Sequence, residues 1–162
     1  MSMEDRIDRL ERRVAELEDR LAILDLIASY GPAVDSVDRK AVAEIWELDG
    51  SYDFGGDPLA GRNNVAALVD LETHRQYVSA GSAHVLSNPR IVLDGDRAIA
   101  VNYSQVFVKA EHGWRADRTS ANRWELKRTE DGWKVESRTN RLLDGSEPAR
   151  RLLRSEIDRL NE

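Results

Sequence analysis

No cysteine occurs in the 162 residues, which excludes disulfides, thiolate nucleophiles and cysteine-ligated zinc or iron–sulfur centres. Basic residues are in deficit: 24 Lys and Arg face 30 Asp and Glu, for a net charge of −6. No basic stripe exists to neutralise phosphates, so a nucleic-acid partner is not expected. No apolar run approaches the roughly 20 residues of a membrane span, and no charged-then-apolar leader opens the chain. The expected location is therefore the cytoplasm. Histidine is scarce as well. The three present share no helix-face or close-loop spacing, so a metal site is not expected. Gly55–Gly56 lacks the following Lys–Ser/Thr of a phosphate loop, and no cofactor is expected.

What is present fits one soluble domain spanning 1–162. Charged residues make up 33% and hydrophobic ones 41%, enough apolar material for a core under well-solvated helices. The N-terminal segment spaces Ile7, Leu10, Val14, Leu17, Leu21, Leu24 and Ala28 by three and four residues. With Ile7, Val14, Leu21 and Ala28 at heptad position a, leucines fill d. Arg6–Glu11, Arg13–Glu18 and Arg20–Asp25 then stand in the g-to-e′ relation of a parallel coiled coil. Residues 1–20 read either as a helical oligomerisation arm or as the start of one long amphipathic helix. Residues 21–30 are expected to pack on the domain.

Gly31–Pro32 should break or kink this helix, because proline removes a backbone donor and disfavours helix just before it. A second helix is expected over 38–48, capped by Asp38, then a turn at Asp49–Gly50 and a short strand at Ser51–Phe54. A third helix starts near Asn63–Asn64. Strands follow at 83–93, 97–110, 117–128 and 133–142, separated by Asp–Gly-type turns. A last helix covers Pro148–Leu160, within a C-terminal segment taken as 147–161. Helices followed by an antiparallel meander predict a segregated α+β fold, a curved sheet wrapped by helices around a cone-like pocket.

Two ionisable residues interrupt apolar stretches. Asp35 ends the run from Leu21 to Val34, and His84 sits beside Ala83, Val85 and Leu86. Burying either without a partner costs several kcal/mol, so each needs one. If the fold joins them they form a general-base unit; otherwise Asp35 is a cap and His84 a core imidazole bonded to a carbonyl. Tyr30, five residues before Asp35, could share its cavity. His74 and His112 are expected on solvated surfaces, and Tyr103, Trp114 and Trp124 in the core or pocket. On the last strand, strict alternation puts Arg141 on the Trp133 face and Arg138 opposite; a bulge would reverse that.

Taken in order, these residues resemble the SnoaL-like branch of the nuclear-transport-factor-two-like superfamily, over roughly residues 15–143. The resemblance rests on Leu21–Tyr30 (LAILDLIASY), Ala33–Asp35, Trp46, Ser51–Phe54 (SYDF), Gly61–Arg62, His84–Ile91 (HVLSNPRI) and Asp131–Val135 (DGWKV). Its characterised types include scytalone dehydratase, lindane dehydrochlorinase and bile-acid 7α-dehydratase. It implies a cone-shaped α+β barrel, often trimeric, and a His–Asp dyad at His84 and Asp35. It also implies that Tyr30 and Arg138 act on a departing or enolising oxygen. A strand aspartate of the bile-acid type falls near Gln105–Val106 here, against that substrate. The expected activity is a cofactor-independent lyase or isomerase on a small, largely apolar hydroxylated or ketonic molecule, in a homo-oligomer (dimer or trimer). The rival is a non-catalytic binding or assembly domain of the same fold.

Overall fold

A computed structural model of the chain describes the backbone of residues 1–159 and the side chains of 1–154. The first helix, α1 (Met3–Asp35), starts at a capping box. Ser2 accepts from the Asp5 amide, and Asp5 accepts from the Ser2 amide. Of the break or kink expected at Gly31–Pro32, the break does not occur. Pro32 lies inside the helix, which continues to Asp35. The Ser36 hydroxyl and amide both donate to the Pro32 carbonyl, so the last turn closes normally after the proline.

After α1 come α2 (Arg39–Glu44), capped as expected by Asp38, then α3 (Arg62–Ala66), a 3₁₀ turn over Ala67–Asp70, and α4 (Glu72–Ala80). The second helix is shorter than the sequence suggests. Trp46–Leu48 already belong to strand β1 (Trp46–Asp53), and Asp49–Gly50 lie within that strand. The register there shifts between Trp46 and Ser51, and a Cβ on Gly50 would stand 3.0 Å from the carbonyls of Glu47 and Val135. What reads as a turn is a bulge pressed against the neighbouring strand.

The remaining strands are β2 (Leu59–Ala60), β3 (Ser82–Leu86), β4 (Arg90–Asp94), β5 (Arg97–Ala110), β6 (Gly113–Thr129) and β7 (Gly132–Leu142). They form one curved, unclosed seven-stranded sheet in the order β2-β1-β7-β6-β5-β3, with β4 also on β5. All pairs are antiparallel except β1 with β7. The single strand expected at 83–93 is two, β3 and β4, both along the same edge of β5. Pro89 lies in the break and has no N–H for a ladder. Ser87 and Asn102 bridge the gap: the Ser87 amide donates to the Tyr103 carbonyl, and the Asn102 amide group to the Ser87 carbonyl.

Helix α5 (Glu147–Arg159) closes the described chain. Leu160, expected as its last apolar residue, lies outside the described residues, as does the Ile157 side chain. The core sits between α1 and the concave sheet face, where Ile23, Ile27, Val34, Trp46, Trp124, Leu126 and Val135 are essentially inaccessible. Tyr103 and Trp114, expected inside, are about half exposed. Among the described residues no helix is long and apolar enough to cross a membrane.

Where α1 meets the sheet it is clamped by charge. Arg128 donates twice to the Asp19 carboxylate, and the Trp133 indole donates to the same group at 3.1 Å. These bonds, Arg128 first, hold the Asp19 carboxyl below its ordinary value against a smaller desolvation effect. A depressed folded-state value stabilises the fold above the ordinary carboxylate range and ceases to do so as pH falls through it. Asp19→Ala should lower Tm near neutral pH by up to about 4 °C. That deficit should shrink on acidification below about pH 4. A deficit that stays constant through this range in thermal melts would show that the clamp is not the source.

Candidate active site

The position of Asp35 follows from a glycine. α1 crosses β3 at Gly31, where an added Cβ would lie 2.3 Å from the His84 carbonyl oxygen. Only a residue without a side chain lets the helix come this close. One turn further on, the Asp35 carboxylate meets His84 twice. The His84 backbone N–H donates to Oδ2 at 2.7 Å, and ring Nδ1 is 2.6 Å from Oδ1. A carboxylate can only accept, so Nδ1 carries a proton, and in the neutral imidazole Nε2 is then the atom with the lone pair. Both side chains are largely but not wholly enclosed, at 13% exposure for His84 and 25% for Asp35.

His74 stands beside this pair, contrary to the solvated surface expected for it. It is 8% exposed, its ring centroid is 5.6 Å from that of His84, and Nε2 donates to the Val34 carbonyl at 2.8 Å. The signal that could have found it is helical spacing: His74, Tyr77 and Val78 share one stripe of α4. His112 is exposed, as expected.

Tyr30 and Arg138 form a second group. The register of β6 against β7 shifts between Glu125 and Leu126, so a bulge at Glu136 puts Arg138 on the face of Trp133 and Val135. Arg138 is 2% exposed, whereas Arg141 is part-exposed and paired with Asp53 at 2.7 Å. The Arg138 guanidinium lies over three rings, at 4.3 Å from Tyr30, 4.6 Å from Tyr52 and 4.1 Å from Trp124. Its Nε and Nη2 donate to Asn122 Oδ1 at 3.0 and 2.7 Å; among the described residues no carboxylate bonds to it and Nη1 has no partner. Burial raises the Tyr30 phenol well above its ordinary value, Tyr52 adding to the shift and Arg138 opposing it. Tyr30 therefore remains a hydrogen-bond donor at any working pH.

The structure thus joins Asp35 to His84 and Tyr30 to Arg138. No hydrogen bond links the two pairs, but consecutive residues of α1, Tyr30 and Gly31, touch one pair each. Asn122 and Tyr52 were missed in the sequence. Period-two alternation of Asn122 with the buried Ser120, Trp124 and Leu126 was the available signal for the first. Among the described residues, no three His, Asp or Glu side chains converge as metal ligands would.

The chain belongs to the SnoaL-like domain family, whose sequence profile matches residues 15–139. Among solved structures it is 43% identical to an NTF2-like protein with a cystatin-like fold from Novosphingobium aromaticivorans. That likeness covers 94% of this chain and 99% of that one at a TM-score of 0.90. It shares the fold, at 19% identity and TM-score 0.70, with the hexachlorocyclohexane dehydrochlorinase LinA-type3 of Novosphingobium barchaimii, covering 81% of this chain and 90% of that one. A protein of unknown function from Mycobacterium tuberculosis gives 21% identity and TM-score 0.70, over 82% of this chain and 75% of that one. No curated protein matches in sequence.

Gly31→Ala tests the helix–strand contact. Alanine is the better helix former by about 1 kcal/mol, but its methyl would fall on backbone rather than on a movable side chain. The expected net loss is about 1–3 kcal/mol by urea denaturation. The low-field His84 Nδ1 proton should move or vanish in the NMR spectrum. A variant as stable as the parent, with that resonance unmoved, would contradict the reading.

Proposed function

We propose that this chain is a cofactor-independent lyase or isomerase that removes a proton from carbon, with His84 as the base and Asp35 as its partner. The supporting observation is the double hydrogen bond from His84 to Asp35, which holds the imidazole in one tautomer and leaves Nε2 available. Asp35 is then the counter-charge that stabilises the imidazolium once the proton has moved.

The chemistry balances without any added reagent. Nε2 takes a proton from a carbon next to a carbonyl or a leaving group. The C–H electrons become a C=C or an enolate, and either a hydroxyl or halide leaves from the neighbouring carbon or the proton returns elsewhere. Tyr30 and Arg138 serve the oxygen or halide where negative charge gathers. The free Nη1 of a buried guanidinium without a carboxylate partner supports that role. The rings of Tyr30, Tyr52 and Trp124 packed around Arg138 make its surroundings largely apolar, which fits a small, largely apolar substrate. The dehydrochlorinase activity named for the structural neighbour belongs to the same class of elimination.

The test is proton exchange and elimination in D₂O, followed by NMR, on small hydroxy-ketones and alicyclic halides. Native mass spectrometry of the purified protein, to find a retained ligand, would narrow the panel. His84→Ala and Asp35→Ala should each cost roughly 10²–10⁴-fold in rate while thermal unfolding stays cooperative. Parent-like turnover in either variant would sink the dyad.

A further inference from the structure

We infer that the N-terminal arm, Met3–Glu18, pairs in parallel with the same arm of a second copy of this chain as a two-stranded coiled coil. Residues 1–18 are all exposed, and the first hydrogen bonds from α1 to the rest of the fold are made by Asp19 and Arg20. Some 16 residues therefore project about 24 Å beyond the domain. The arm continues the anchored part of α1 and needs no new nucleus, but its turns receive no packing from the domain.

The arm nevertheless carries an apolar face. α1 has two apolar stripes. Ile23, Ile27, Tyr30 and Val34 face its own core. Ile7, Leu10, Val14, Leu17 and Leu21 follow three–four spacing on another side, at 47%, 54%, 52%, 58% and 61% exposure. Along this stripe Ile7, Leu10, Glu11, Val14, Ala15 and Glu18 bound a shallow, open and largely apolar surface of the kind that receives side chains of a facing helix.

Charge and branching identify the occupant. Arg6 and Arg13 precede the a residues, and Glu11 and Glu18 follow the d residues. In a parallel pair of identical chains Arg6 and Arg13 each face a glutamate of the partner, Glu11 and Glu18. An antiparallel pair would set arginine against arginine and glutamate against glutamate. β-branched Ile7 and Val14 at a, with Leu10 and Leu17 at d, favour two strands over three. The coil ends where the domain begins. Arg20 is already bound to Glu16 at 2.9 Å and to the Ile91 carbonyl at 2.9 Å, and Asp19 is taken by Arg128.

The experiment uses the full chain in sedimentation equilibrium. The parent should dimerise, or form a larger even-numbered assembly, in a concentration-dependent way at micromolar concentration. Leu10→Glu with Leu17→Glu should halve the mass while the near-UV spectrum and domain unfolding persist. Because the chain has no cysteine, Leu10→Cys gives a single thiol. Its rapid oxidation to a Leu10-position cross-link reports parallel alignment. Arg6→Glu with Arg13→Glu should dissociate alone and reassociate when mixed with Glu11→Arg and Glu18→Arg. A monomeric parent, a glutamate variant with the parent's mass, or a thiol that stays reduced would each overturn the inference.

Discussion

The approach of α1 to β3 at Gly31 is the contact on which the candidate site depends. A helix normally stands off a sheet by the depth of its side chains. Here the missing Cβ lets backbone meet backbone, and the next turn carries Asp35 onto the backbone N–H and ring Nδ1 of His84. The proline that follows lies inside the helix, and the Ser36 hydroxyl and amide both donate to its carbonyl as the helix ends. The carboxylate thus reaches an imidazole 49 positions away without a loop to position it.

The two polar pairs differ in character. Asp35 and His84 are mutually satisfied and keep some access to solvent. Arg138 is sealed among three aromatic rings, bonded to one amide oxygen and short of one partner. A buried cation in that state is costly unless something else meets it, which is why we assign it to negative charge developing on a substrate. The family relationship supplies the fold in which such an interior occurs; it does not by itself assign the chemistry.

Much of the architecture was legible from local pattern. The meander of β5, β6 and β7 follows from apolar alternation between Gly-containing turns, and the Asp38 cap and the helix at 147–159 were visible in the same way. The errors share one cause. Gly–Pro at 31–32 and Asp–Gly at 49–50 are turn signals in isolation, yet one lies inside a helix and the other inside a bulged strand, because packing against β3 and β7 outweighs local preference. His74 looked solvated amid charged neighbours, whereas only its own face of α4 turns inward.

By itself the sequence determined the order of elements, the absence of thiol chemistry, and the exposed stripe of the N-terminal helix, because periodicity and composition are local properties. It also singled out Asp35 and His84 as polar residues out of place. Whether they meet was a tertiary matter, decided by how closely a helix can lie on a strand. The side to which Arg138 points was decided by one extra residue in the β6–β7 register, and alternation counted along a single strand cannot register an insertion relative to its partner.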